Sequence, residues 1–280
     1  MKNDTPAPER GARPWYRLLL RALVVGVAVA VVIAAVVVIA YLRRSTPSEV
    51  SVDEALRRYR SSEQLQNTAL LGPGVFEAQG AGWNDLDRPP IRQEDGASMP
   101  VTVESISEDC SSWRIDFNSS HSQALDFCTN DSGVEIVAQR TSKAWDLGVV
   151  TVSNVGEFSC QPPIPVLSSG GCSVDTSDRT CRGTNSSVDG PATVELRVED
   201  LGEATVDIDG ESVRARHQRW TQTLSGSQSG TLRDEWWFDA ASGLPLRAER
   251  DYTLSTPTPL GVANYAESGR WALTSLESAG

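Results

Sequence analysis

Trp113-Arg114-Ile115-Asp116-Phe117-Asn118 sets a large apolar side chain at every second position, with polar ones between. A period of two marks a half-buried antiparallel strand, whose successive side chains point to opposite faces. The pattern continues outward from there. Val134, Ile136 and Ala138 carry it, then Val194, Leu196 and Val198 against Glu195, Arg197 and Glu199. Near the end, Leu244, Leu246, Ala248, Tyr252 and Leu254 alternate with Arg247, Glu249, Asp251 and Thr253. Turn residues join such runs: Asp209-Gly210 links 204–208 to 211–224, and Ser242-Gly243 links 232–238 to 244–254. These dipeptides accept the positive φ that a tight hairpin demands. The chain is predicted to be mainly β, with about a dozen antiparallel strands. They form one large sheet over 75–280, curved into a half-barrel or open barrel.

The alternation fails between Pro162 and Pro191. Pro162-Pro163-Ile164-Pro165 is predicted as extended loop, and 168–189, rich in Ser, Thr, Gly and Asp, as a long surface loop tethered by its cysteines. Upstream, Ser51-Val52-Asp53-Glu54 is a capping box. Val52, Ala55, Leu56 and Tyr59 then recur on one helical face, predicting a short amphipathic helix within a 43–74 linker.

Residues 22–42 carry no charge: thirteen are Val, Ile or Leu and six are Ala. Twenty-one helical residues cover the ~30 Å apolar core of a bilayer, and in lipid the backbone must satisfy itself internally. A single transmembrane helix over 22–42 is predicted, making the membrane a partner. A cleaved signal peptide is the alternative, with Val38-Ile39-Ala40 as its cleavage site. Residues 1–21 form a basic tail. Residues 1–44 carry a net charge of +5 and the rest −17, which rules against nucleic acid or anionic lipid as the main partner of the large domain.

Basic residues flank the span equally and give no orientation. The cysteines do: Cys110, Cys128, Cys160, Cys172 and Cys181 all follow it. No C-x-x-C is present and His121 and His217 are the only histidines, so zinc spacing is absent and disulfides are expected. Disulfides need an oxidising compartment, which puts the N-terminus in the cytoplasm and the large domain outside the plasma membrane.

No catalytic motif emerges. Ser225-Gly226-Ser227-Gln228-Ser229-Gly230 is not G-x-S-x-G and joins two strands, where a nucleophile elbow needs a strand followed by a helix. Asp207 and Asp209 lack the later ligands of a calcium loop. No enzyme, metal or cofactor is expected. Eight tryptophans against five phenylalanines suggest a core of large rings, or a concave sheet lining an apolar cavity. The candidate lining residues are Trp113, His217, Trp220, Trp236 and Trp271; His217 shares a face with Val213 and Ala215.

Met99-Pro100-Val101-Thr102-Val103, Cys110 with Trp113–Phe117, His121, Phe127-Cys128, Phe158-Ser159-Cys160-Gln161-Pro162-Pro163 and Thr180-Cys181-Arg182-Gly183-Thr184 resemble a family of uncharacterised bacterial single-pass membrane proteins. The resemblance implies four paired cysteines, Cys110, Cys128, Cys160 and Cys181, with Cys172 a free thiol. Pairing of 113–118 with 123–128 through the turn at 119–122 brings Cys110 close to Cys128. The resemblance implies Cys160 with Cys181 as the second pair, with exchange by Cys172 at either end left open. The phrase from Trp236 to Arg247 is similar to the strand–turn–strand phrase of lipoprotein-carrier (LolA- and LppX-like) domains, half-barrels around a lipid-binding concavity. The resulting expectation is a membrane-anchored extracytoplasmic binding domain holding an apolar or lipid-like ligand. The alternative is an interaction or sensor ectodomain that meets an envelope protein and signals through the helix.

Overall fold

The structure, a computed structural model, describes residues 15–42, 45–62, 72–169, 178–258 and 261–279. Two compact units divide the chain: residues 1–45 with 146–151, and residues 46–145 with 152–280. In the first, helix α1 (Trp15–Leu42) runs 28 residues. Its stretch Leu19–Ile39 has a mean hydropathy of 3.3 and no buried residue, which is long and apolar enough to cross a bilayer.

The second unit opens with α2 (Val52–Ser61), where Ser51 Oγ accepts the Glu54 backbone N–H at 3.2 Å as a cap should. Among the described residues thirteen strands follow: β1 (Gly74–Asp87), β2 (Pro90–Glu94), β3 (Ser98–Ser105), β4 (Cys110–Asn118), β5 (His121–Asn130) and β6 (Gly133–Asp146). After these come β7 (Thr151–Ser168), β8 (Arg179–Asn185), β9 (Val188–Ile208), β10 (Glu211–Gly226), β11 (Ser229–Asp239), β12 (Pro245–Thr258) and β13 (Gly261–Leu273). From β3 to β13 each strand lies beside the next in sequence. One edge of β1 pairs with β13 from Ala78↔Leu273 to Leu86↔Tyr265; the other pairs with β3 and then β2. The predicted antiparallel sheet is present, and its first and last strands are hydrogen-bonded into a ring. The 209–210 turn is tight as expected, with φ of 54° at Asp209 and 79° at Gly210.

The long loop is a correction. β7 runs through the prolines, and Ile164 and Val166 keep the period of two with no exposure at all. Arg179 Nε donates to the Pro163 carbonyl at 3.0 Å. Arg179–Asn185 is itself a strand, so the break shrinks to residues between β7 and β8. Two disulfides join directly opposed residues: Cys110 to Cys128 across β4 and β5, and Cys160 to Cys181 across β7 and β8. Cys172, expected to be free, lies outside the described residues.

Candidate functional site

Inward-facing side chains fall into rows of cross-strand partners. One row is Trp236–Ala248–Trp271–Gly80 across β11, β12, β13 and β1. Trp113 and Trp220 close on it, with ring centroids 5.4 Å apart for Trp113 and Trp271 and 5.5 Å for Trp220 and Trp236. All four tryptophans are at most 2% exposed. Rings at these distances pack against one another as buried side chains do. Trp113, Trp220, Trp236 and Trp271 belong to the hydrophobic core cluster.

His217 does not join them. β10 changes phase between Ala215 and Gln218, both buried, where its register with β9 shifts. His217 is left on the outer face, stacked on Trp237 at 4.2 Å, with Nε2 3.2 Å from a Glu235 oxygen.

Below the tryptophans lies a second tier that the sequence reading missed, and it is ionic. The next rows are Asp234–Arg250–Gly269–Gly82 and Tyr252–Glu267–Asn84–Gln93. His121 of β5, Lys143 of β6 and Asp95, just past β2, meet them from the far side. Lys143 Nζ donates to Glu267 at 2.6 Å, and Arg250 bridges Glu267 and Asp95 with its Nε and a terminal nitrogen. His121 stands 3.7 Å from Asp95 and 3.6 Å from Glu267, one ring nitrogen toward each. Asp234 accepts from Gln222 at 2.9 Å and from the Tyr252 hydroxyl.

Room for this tier comes from two opposed glycines. A Cβ on Gly269 would stand 2.9 Å from the Arg250 guanidinium carbon, and one on Gly82 would stand 2.2 Å from an Asp95 oxygen. Arg250 crosses Gly269 and Gly82 to reach Asp95 because neither has a side chain.

Burial sets the protonation of the tier. It raises Asp234 to about 7, against the opposing pull of the Tyr252 and Gln222 bonds. It lowers His121, with Glu267 and Asp95 only partly offsetting it, and lowers Lys143 against the pull of Glu267. Glu267 goes the other way: burial would raise it, but Lys143, His121 and Arg250 together hold it well below the usual carboxylate range. Imidazole, carboxylate and ammonium are the groups of acid–base chemistry, yet each is turned to an internal partner. The Asp95, Glu267 and Arg250 side chains are 0%, 1% and 4% exposed. Among the described residues, no three His, Cys, Asp or Glu side chains are placed to hold a metal ion.

The outer face offers open concavity instead. A groove of about 890 Å³ crosses β11, β12, β13, β1 and β2. Its walls come from two outward rows, Glu235–Glu249–Arg270–Ala81 and Arg233–Asp251–Ser268–Trp83. The side-chain-free Gly80, Gly82 and Gly269 contribute to its lining.

No family model matches the chain, and no curated protein does. Among solved structures, the hypothetical lipoprotein YmcC from Escherichia coli (K12) is similar at 14% identity, over 79% of this chain and 97% of that one, with a TM-score of 0.33. A lipoprotein candidate from Parabacteroides distasonis ATCC 8503 is similar at 10% identity, over 77% and 100%, with a TM-score of 0.36. Likeness at that level carries no argument about the role of this chain.

Proposed function

We propose that the chain is a binding domain of the cell envelope, held at the membrane by α1, which recognises a polar protein partner through the outer groove. The observation carrying this reading is the packing of these two tiers: contacting tryptophans occupy one and paired charges the other, so a lipid lying there would have to displace packed side chains. Recognition then falls to the outside, where the groove alternates Arg233 and Arg270 with Glu235, Glu249 and Asp251. Alternating signs of this kind select a polar surface of matching pattern. The reading is one of binding and not of catalysis, with the large domain outside and α1 retained as a single span. A sensor that signals through α1 is a form of the same reading.

Photo-crosslinking in native membranes tests it. A crosslinker replacing Glu249 or Asp251 is expected to trap one discrete partner, while one replacing Arg197, 68% exposed on β9, traps none. Equal crosslinking at all three positions refutes the proposal.

A further inference from the structure

Beneath α2, on the outer face of β3 to β6, lies a separate notch of about 220 Å³. We propose that it binds one phosphate-type oxyanion. This rests on observations independent of the groove.

The notch follows from the register. Thr102, Arg114, Ala124 and Arg140 form one outward row across β3, β4, β5 and β6. Small Ala124 leaves a gap between the two arginines. The adjoining row, Asp116–Ser122–Ser142, again puts a small residue beside that gap. α2 roofs it: Ala55 is buried against the sheet, and Arg58 reaches down from the next turn. Three guanidinium groups from three different elements thus converge on a depression floored by a methyl group and hydroxyls.

Donor geometry decides what fits. Asp116, 5% exposed at its side chain, takes Arg114 on one oxygen at 2.7 Å and Arg58 on the other at 3.2 Å. One carboxylate orients two guanidinium groups and neutralises one of them. Arg140 leans on Glu157 at 3.1 Å, while Glu104 accepts from Ser62 at 2.9 Å. The notch lining carries three arginines against Asp116 and Glu104, with Glu157 and Asp126 paired to Arg140 beside it at 3.1 and 3.8 Å, so guanidinium donors are dense there while the charges nearly balance. Guanidinium forks and hydroxyls suit a tetrahedral oxyanion, which accepts several charge-assisted hydrogen bonds at once. Both a free phosphate and a phospholipid headgroup supply that chemistry. Only nine residues separate α1 from α2 in sequence, so both sources are tested.

The full chain in uncharged detergent is titrated with inorganic phosphate by calorimetry. In parallel, phosphatidylglycerol retained through purification is counted by native mass spectrometry. Saturable 1:1 binding is expected in at least one arm, weakened tenfold or more by R114Q with R140Q and unchanged by R197Q. Phosphate binding assigns a soluble anion; lipid retention alone assigns a headgroup. S142E guards against misfolding, because it adds a negative charge at an exposed rim position and removes no arginine. It is expected to weaken binding as much, with the unfolding midpoint unchanged. Binding in neither arm, or binding indifferent to R114Q/R140Q and to S142E, overturns the proposal.

Discussion

Replacing Asp234 by Asn tests the ionic tier where its protonation is most perturbed. The Asp234 carboxyl is fully enclosed, and burial lifts it from 3.8 to about 7. An acid raised on folding stabilises the fold when protonated, so its contribution is present at low pH and lost as pH rises toward 7. This is the opposite of a salt-bridged carboxylate, because here the native state binds the extra proton. At ~1.36 kcal/mol per unit, the shift of roughly three units is worth about 4 kcal/mol in full. Some of that is already lost at pH 5, so the change from pH 5 to pH 8 is about 3 kcal/mol. Asn keeps the shape and both contacts: its amide can donate to the Tyr252 oxygen while its carbonyl accepts from Gln222. Urea unfolding of both chains, followed by tryptophan fluorescence at pH 5, 6.5 and 8, reads the difference. His121 and Glu267 titrate in both chains and largely cancel. The native chain is expected to lose about 3 kcal/mol relative to D234N over that range. Parallel pH curves would show that Asp234 does not change protonation on folding, and the reasoning would fail.

Two further outcomes follow from the same geometry. G82A drives a methyl group to 2.2 Å from Asp95 and 2.8 Å from the Gly269 Cα, and should cost about 1–3 kcal/mol in unfolding free energy. G156A, whose Cβ meets a single side-chain oxygen at 3.0 Å, should cost less; equal losses would mean that the Arg250 crossing does not need the space. Replacing Cys110 and Cys128 together by Ser opens a link across 18 residues and should lower stability by about 3 kcal/mol, seen as a shift in denaturant midpoint. Unchanged stability, with Cys160 still bonded to Cys181 in unreduced peptide maps, would refute that figure.

Much of the ring was legible because its signals are local. Alternation named the strands, Asp209-Gly210 and Ser242-Gly243 named hairpins, and the sequential order of β3 to β13 is what hairpin after hairpin produces. The tryptophan tier was visible as residue type but not as filled or hollow, since that depends on distances across the ring. The ionic tier hid in the same pattern. Arg250 lies at an inward position between Ala248 and Tyr252, Asp234 between Leu232 and Trp236, and Glu267 two residues after Tyr265. Strict parity would have flagged three charged residues facing the core. What parity could not supply is their partners, because Asp95, His121 and Lys143 arrive from distant strands. His217 was misplaced for the reverse reason: the phase shift in β10 leaves no mark in local hydrophobicity.

The ionic tier is an expensive way to fill space. Each buried ion forfeits several kcal/mol of hydration, and packed apolar residues of equal volume would stabilise as well or better. Its effect on register is another matter. In a sheet, a slip of two residues returns every side chain to its own face, so an apolar row alone distinguishes such registers weakly. The seam between β1 and β13 is where that weakness matters most, since those strands are joined by no hairpin and lie at opposite ends of the domain. A two-residue slip of β1 against β13 would carry Gly82 away from Gly269, and Asp95, whose backbone N–H bonds the Gly82 carbonyl, away from Arg250. Breaking a buried pair in that way costs about 3–5 kcal/mol, more than most single apolar contacts can return. Arg250 on β12 and Asp95 past β2 are paired across 155 residues, so their bond spans the seam itself. The pair of glycines that makes this reach possible is thus part of how the ring closes in one register.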